Sequence, residues 1–492
     1  MPTGSRSFVR RYALWAAAAL LLLIVLLPAP QGLPVAGQRM LAILAFAVII
    51  WMTETVTYPV SAALLVVLMA FLLGTAPPAA GAAGAKALGT TGALTIALGG
   101  FSNSAWALVA GALFLAAAMT RTGLDKRIAL MVLSRIGART NRVLIGVIFV
   151  GFLLSFFVPS TTARVSCLVP IVMGIIAVFG VSRTSRFAGM MLIATAQADS
   201  LWNVGIKTAA AQNMVAVSFI QKQLGQDITW LHWFIAAAPF SAIMSVVLYW
   251  VLMKMMPPEV EEIEGGREAV ARSLAELGPM TGAEKRLLGL SLVLLAFWIT
   301  EGLLHPFDTS TTTIAAITLM LLPKVGVMTW HEAQERIPWG TIVLFGVGIS
   351  LGSALLSTQA ASWLAKLIVG WFGLQGASAL GILAVLAAFL VVIHLGFASA
   401  TALAAAMIPI IISVLQTVKT PGLNLVGMVM ILQYVVSFGM LLPVNAPQNM
   451  VAYSTGTFEA KDFLRTGIPL TLAAYGLVLV LGATYWKWLG LV

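Results

Sequence analysis

Gln212-Asn213-Met214-Val215-Ala216 recurs letter for letter, 236 residues later, as Gln448-Asn449-Met450-Val451-Ala452. One shared pentapeptide can arise by chance, so its surroundings decide what it means. Trp51-Met52-Thr53-Glu54 is followed by Pro59, and Trp298-Ile299-Thr300-Glu301 by Pro306, each Pro eight residues after its Trp. Ser160-Thr161-Thr162-Ala163 precedes Pro170-Ile171, and Ser399-Ala400-Thr401-Ala402 precedes Pro409-Ile410, both with a Ser-to-Pro spacing of ten. Trp233 and Pro239 are echoed by Phe463 and Pro469. The four offsets are 247, 239, 236 and 230, in the same order along both copies. Repeats in register mark a duplicated structural unit. The chain therefore divides into an N-terminal segment (1–39), a first copy (40–253), a charged joint (254–286) and a second copy (287–492).

Composition says what kind of unit is duplicated. Of 492 residues, 60% are hydrophobic and 9% charged, with a mean hydropathy of +1.00. A soluble domain carries roughly 25% charged residues, which excludes a soluble fold of this size. Apolar stretches of about 17 to 25 residues recur throughout, each long enough to cross a bilayer as a helix. The ten-residue alternating segments of an outer-membrane barrel do not occur. The expected fold is an all-α polytopic membrane protein of about 11 transmembrane helices plus two re-entrant helical hairpins. The lipid bilayer is its surrounding partner, and the net charge of +11 points to cytoplasmic loops rather than to nucleic acid. Arg10 and Arg11 precede the apolar run Leu14–Leu27. No good small-residue cleavage site follows, so this reads as an uncleaved first span and not a signal peptide. A lone Cys167 rules out an intrachain disulfide framework.

Each copy reads as five crossings plus one hairpin. In the first copy the spans fall near 40–56, 60–75, 104–120, 187–216 and 230–253, with the hairpin at 143–181. In the second they fall near 287–304, 310–323, 338–356, 422–455 and 466–486, with the hairpin at 379–418. An odd number of crossings starts the second copy on the opposite face, giving inverted-topology repeats. With the N-terminus inside, 20 of the 28 basic residues fall on the inner face. Arg39, Lys86, Lys222, Lys366, Lys419 and Lys487 lie outside. That bias is the positive-inside pattern and predicts a bacterial inner membrane, a cytoplasmic N-terminus and a periplasmic C-terminus. The joint, with Glu259, Glu261, Glu262, Glu264, Arg267, Glu268 and Arg272, reads as a solvated linker or short surface helix.

The hairpins locate a site. Pro159-Ser160-Thr161-Thr162-Ala163-Arg164 interrupts the first apolar run, and Ser399–Ala402 interrupts the second at the matching place. Matching breaks are expected at Ala209–Asn213 and Asn445–Asn449. Irregular polar backbone at membrane depth survives only where protein or a water-filled cavity covers it. Broken helices also aim half-helix N-termini, which favour anions, at that cavity. Candidate anion-binding residues are Ser160, Thr161, Thr162, Asn213, Ser399, Thr401, Asn445 and Asn449. Arg164 and Lys207 lie inside apolar segments, and an ionisable residue at such depth is a functional-site candidate. Snorkelling to an interface is the bland alternative for both. His394, ahead of the second tip, is either a packing histidine or a third anion-facing group. Glu54 and Glu301 read as interfacial anchors. Ser102-Asn103-Ser104 reads as a helix start.

The whole of 40–486 resembles the divalent anion:sodium symporter superfamily, in its di/tricarboxylate and 2-oxoglutarate/malate exchanger branch. The resemblance rests on Trp-x-Thr-Glu at 51–54, the hairpin tips at 160–162 and 399–401, and Leu-Pro-Val-Asn-Ala-Pro-Gln-Asn at 442–449. It implies a homodimer, an elevator-like alternating-access motion, and a di- or tricarboxylate held between tips and breaks. It also implies sodium beside each tip, near Ser160 and Thr161 and near Ser399 and Ala400. Here Thr161 and Ala400 stand where the family has asparagine, which leaves sodium open. If Arg164 and Lys207 face the cavity, they act as fixed cations, and the empty carrier crosses at high cost. The expected function is then exchange, with sodium- or proton-coupled symport of a dicarboxylate or sulfate as the alternative. No enzyme chemistry is expected: the four histidines (His232, His305, His331, His394) are scattered and no metal-ligand spacing occurs. A channel would want a continuous polar stripe along a pore, whereas the polar residues cluster at two depths.

Overall fold

The computed structural model describes residues 3–77, 87–136, 139–178, 180–262 and 266–492. Lys86 and Glu264, and the side chains of Arg6, Arg10, Arg11 and Arg267, lie outside what is described. Among the described residues all regular structure is helical, apart from two isolated bridges. Eight of the described helices are long and apolar enough to cross a membrane, with several shorter apolar ones between them.

The helices pair off between the two copies. Val35–Thr53 corresponds to Gly282–Thr300, Tyr58–Gly74 to Thr309–Leu321, and Ser104–Thr122 to Trp339–Ser357. A short amphipathic helix follows each of the last two: Leu124–Leu133 and Ala360–Trp371. The corner before each is a residue in the left-handed region, Gly123 at φ 75° and Gln359 at φ 63°, again 236 apart. Next come two helix pairs, Thr140–Phe157 with Thr161–Val178 and Ala379–His394 with Ala400–Thr417. Then come two broken helices, Arg186–Gly205 with Ala211–Phe219 and Leu425–Val436 with Pro447–Tyr453. Trp230–Met255 and Ala460–Ala483 close the copies.

Burial shows which elements sit at the centre. From Phe187 to Ala210 every residue is buried, and so is every residue from Val426 to Met440. A helix apolar all round belongs in the interior of a bundle, so the broken helices form the core. Trp230–Met255 instead exposes Ile235, Ile243, Val246 and Trp250 on one side, a face suited to lipid. The leading helix Thr3–Leu26 packs along Val35–Thr53, where Gln38 Nε2 donates to the carbonyls of Ile24 and Leu27 at 2.7 Å each.

Two features depart from the expectations, and the joint, which carries the short helix expected of it, adds ion pairs. Gly89–Leu98, extended by a 3₁₀ turn at Gly99–Phe101, is a helix where a loop was expected. At ten residues it is too short to register as a span. Its turn is pinned by Gly100 N–H donating to Ser350 Oγ at 2.9 Å, and a side chain at Gly100 would strike the Gly346 carbonyl. The joint is more than a spacer. Its helix Gly266–Glu276 is followed by a segment whose carbonyls at Leu277 and Gly278 take Arg127 nitrogens. Glu284 meets Arg127 at 2.6 Å, and Glu259 and Glu262 pair with Arg186 and Arg139. The helix breaks also sit a few residues ahead of their expected places, since helix resumes at Ala211 and at Pro447.

Candidate functional site

The two breaks end in the same five-residue backbone pattern. Gly205 ends the first helix, Ile206 is extended (φ −126°, ψ 120°), Lys207–Ala209 form a 3₁₀ turn, and Ala210 is extended again (φ −148°, ψ 140°). In the second the helix ends earlier, at Val436, and then Leu442 (φ −126°, ψ 144°), Pro443–Asn445 and Ala446 (φ −152°, ψ 144°) repeat the extended, 3₁₀ and extended steps. A break strands carbonyls that a continuous helix would satisfy. Asn213 Nδ2 donates to the carbonyls of Asn203 at 2.7 Å, Ile206 at 3.2 Å and Lys207 at 3.4 Å. Asn449 Nδ2 does the same for Gly439 at 2.7 Å and Leu442 at 3.5 Å. The shared Gln-Asn pair explains itself here: the asparagine closes the break, and the glutamine crosses to the other copy. Gln448 Nε2 donates to Ser200 Oγ at 3.1 Å, and Gln212 Nε2 to Ser437 Oγ at 3.4 Å.

Each hairpin tip meets the break of a broken helix. Ser160 and Ser399 cap their helices through Oγ, accepting from Ala163 N at 3.4 Å and Ala402 N at 3.3 Å. At the first tip the Thr161 hydroxyl donates to Asn203 Oδ1 at 2.8 Å. At the second, Asn445 Nδ2 donates to the carbonyls of His394, Phe397 and Leu395 at 3.0, 3.3 and 3.4 Å.

Tips and breaks enclose one cavity of about 820 Å³. Ser160, Thr161, Thr162, Ser399, Ala400 and Thr401 line it, as do Ala211, Gln212, Pro447 and Gln448. Four helices thus begin at its wall: those starting at Thr161, Ala211, Ala400 and Pro447. Each N-terminus carries roughly half a positive charge from unpaired N–H groups. Together they supply a positive potential, plus hydroxyls and carboxamides. This is chemistry for a small dianion.

The expected cations do not line this cavity. Arg164 is fully buried. Its Nε lies 2.5 Å from Asp199 Oδ1, and its other nitrogens donate to the Val158 carbonyl, the Ala209 carbonyl and Asn203 Oδ1. Lys207 Nζ donates to the Ile228 carbonyl at 2.6 Å and lies 3.4 Å from Thr309 Oγ1. The Thr309 hydroxyl in turn donates to Glu301 at 2.6 Å. Glu301 also accepts from the N–H groups of Trp230 and Thr309, so it anchors the turn at 301–309. His394 is buried behind the second tip, its Nε2 3.4 Å from the Asn445 carbonyl. Arg164 and Lys207 are therefore compensated from within, contrary to the picture of fixed cations facing the substrate. Asn213, Asn445 and Asn449 likewise turn inward, onto carbonyls.

Residues that the sequence reading passed over complete the wall: Tyr58, Asn203, Gln212, Gln448, Lys126 and Arg336. The glutamines stood inside the repeated pentapeptide. Asp199, an acid in an otherwise apolar helix, was the visible partner for Arg164. Nothing in the local sequence marked Lys126 or Arg336. Ser102-Asn103-Ser104 is a helix start, with Asn103 Oδ1 accepting from Ala105 N at 2.8 Å.

Residues 9–492 match the family model described as the sodium:sulfate symporter transmembrane region. A protein of Cupriavidus necator named only as a membrane protein is 55% identical over 97% of this chain and 93% of its own length. The citrate/succinate antiporter of Escherichia coli is 27% identical, covering 79% of this chain and 80% of the antiporter. The sodium-dependent dicarboxylate transporter SdcS of Staphylococcus saprophyticus is also 27% identical, over 76% and 74%. Among solved structures, the YdaH transporter of Alcanivorax borkumensis superposes with a TM-score of 0.59 at 15% identity, over 86% of this chain and 97% of that one. That likeness concerns the fold.

Proposed function

The chain belongs to the sodium:sulfate symporter transmembrane family, and we propose that it is a secondary carrier of small di- or tricarboxylate anions that works by exchange. It is a multi-pass membrane transporter and not an enzyme. The observation that carries the anion reading is the convergence of four helix N-termini on one cavity. Two carboxylates of one substrate match two pairs of N-termini, one pair per copy. Each pair comes with its own tip hydroxyls and its own glutamine.

Exchange follows from what the loaded and empty sites leave unpaired. Empty, the cavity carries four positive helix ends without a counter-charge, and moving that through the bilayer is costly. A bound dianion satisfies them. The driving cost lies in helix ends and not in Arg164 or Lys207, whose charges are balanced by Asp199 and by the Thr309–Glu301 pair.

The groups present favour sodium-independent operation in this reading. A cation at either tip would gather carbonyls, as hard cations do. At the first tip those of Val158 and Ala209 already take Arg164. At the second, those of His394, Leu395 and Phe397 already take Asn445. Ala400 offers no side-chain ligand. Fixed donors thus already bind carbonyls at both tips.

In this reading the hairpins and broken helices move as one body against the rest, in an elevator-type alternation within a homodimer. The two copies lie inverted in a bacterial inner membrane with the N-terminus cytoplasmic. Binding stabilises the folded state by mass action. Thermal unfolding of the purified protein should rise with succinate, malate, 2-oxoglutarate or citrate, equally with and without sodium. A rise only when sodium is present, or with sulfate alone, would refute the reading.

A further inference from the structure

The cavity wall holds two cations that the binding geometry above leaves unused. Lys126 lies on the short helix Leu124–Leu133 of the first copy, and Arg336 ends the short helix Trp330–Arg336 of the second. Resting on the carboxylate-carrier reading, we propose that these two form an outer anion-capture site at the cavity mouth. It takes hold of one carboxylate before the dianion reaches the tips.

Lys126 is exposed, and its ammonium makes no ion pair or hydrogen bond among the described residues. Arg336 is held in place and not used up. One nitrogen donates to the Glu332 carbonyl at 2.9 Å and stands 3.9 Å from Glu335, which leaves the rest of the fork free. Glu332 also binds Arg121 through its carboxylate. One residue therefore staples the corner at 121–126 to the helix that presents Arg336, and both cations flank the same opening. The wall also holds one acid, Asp125. It is buried and accepts from the Lys126 backbone N–H at 2.7 Å and the Thr120 hydroxyl at 3.5 Å. It does not neutralise the ammonium at contact distance.

Charges of one sign at a low-dielectric mouth raise the local concentration of an oppositely charged ligand and lose that effect in salt. A dianion gains more from them than a monoanion of the same length. The arginine fork also suits a carboxylate geometrically.

The test uses the purified full chain and titrates succinate and butyrate at low and at high salt. Wild type is compared with Lys126→Gln, Arg336→Gln and Lys126→Arg, each verified as folded by its unfolding temperature. Each Gln variant should bind succinate about three- to fivefold more weakly at low salt. The gap should close at 0.5 M salt, with butyrate unchanged and Lys126→Arg close to wild type. Gln variants with wild-type affinity and an unaltered salt slope would overturn the capture site alone. A wild type that binds none of the di- or tricarboxylates would overturn the carrier reading and this inference with it.

Discussion

Arg164 and Asp199 meet in an ion pair with neither side chain reached by solvent, and that pair joins a hairpin tip to the broken helix it touches. The guanidinium makes bonds on both sides of the join: Val158 on its own hairpin, Asn203 and Ala209 across the gap. The pair therefore ties tip to break, as the proposed elevator-type motion requires.

Removing one partner of a buried pair strands a charge and costs about 3–5 kcal/mol, while an apolar replacement of both is often tolerated. Asp199→Leu or Arg164→Met alone should unfold at clearly lower temperature than wild type. The double variant should recover most of the loss in a thermal melt. Transport by the double variant should still fall, because the carbonyls of Val158 and Ala209 no longer have a donor.

Asn213 and Asn449 are predicted to be equivalent. Their amides hold the carbonyls that the breaks expose, and aspartate at either position removes the donor and adds a buried charge. Asn213→Asp and Asn449→Asp should each destabilise by roughly 1–3 kcal/mol or more. Exchange should drop at least about tenfold in reconstituted vesicles.

Much of this was legible beforehand, and the physical reason is depth. Polar and proline residues inside apolar runs must be covered, so Ser160–Thr162, Ser399–Thr401, Asn213 and Asn449 were singled out from letters and spacing, while the cavity-lining Gln212 and Gln448 beside them were not. Partners were harder. Arg164 was visible, but its direction depended on Asp199, which sits 35 residues on and reaches it only through the fold. Lys207 was visible too, yet Glu301 meets it through Thr309, from the other copy. The helix Gly89–Leu98 escaped because its length and small residues suit close packing, not spanning. Gly74, for instance, has no room for a side chain against Thr90.

Close packing yields a prediction of its own. A methyl group at Gly467 would strike the Met440 carbonyl, which accepts from Gln197 at 3.1 Å beside the second break. Gly467→Ala should displace that carbonyl and cost about 1–3 kcal/mol in stability. Gly476→Ala, in the same helix with open space around it, should be neutral or slightly stabilising.

The Arg121–Glu332 staple predicts an acid dependence. Hydrogen bonding from the Thr329 backbone N–H, and then from the Arg121 guanidinium, holds the Glu332 carboxyl down to about 2. An unperturbed glutamate titrates near about 4.3. Because the folded value is the lower one, the staple's contribution is complete above about 4.3 and is lost as pH falls towards 2. The unfolding temperatures of wild type and Glu332→Gln should differ by the same amount at pH 7 and pH 5. That difference should shrink by pH 3.

The central claim is exchange without sodium, and proteoliposomes test it most directly. Labelled succinate should enter vesicles preloaded with an unlabelled di- or tricarboxylate, with no sodium on either side. Empty vesicles should take up little, even under an inward sodium gradient. Robust, sodium-driven uptake into empty vesicles would contradict the account.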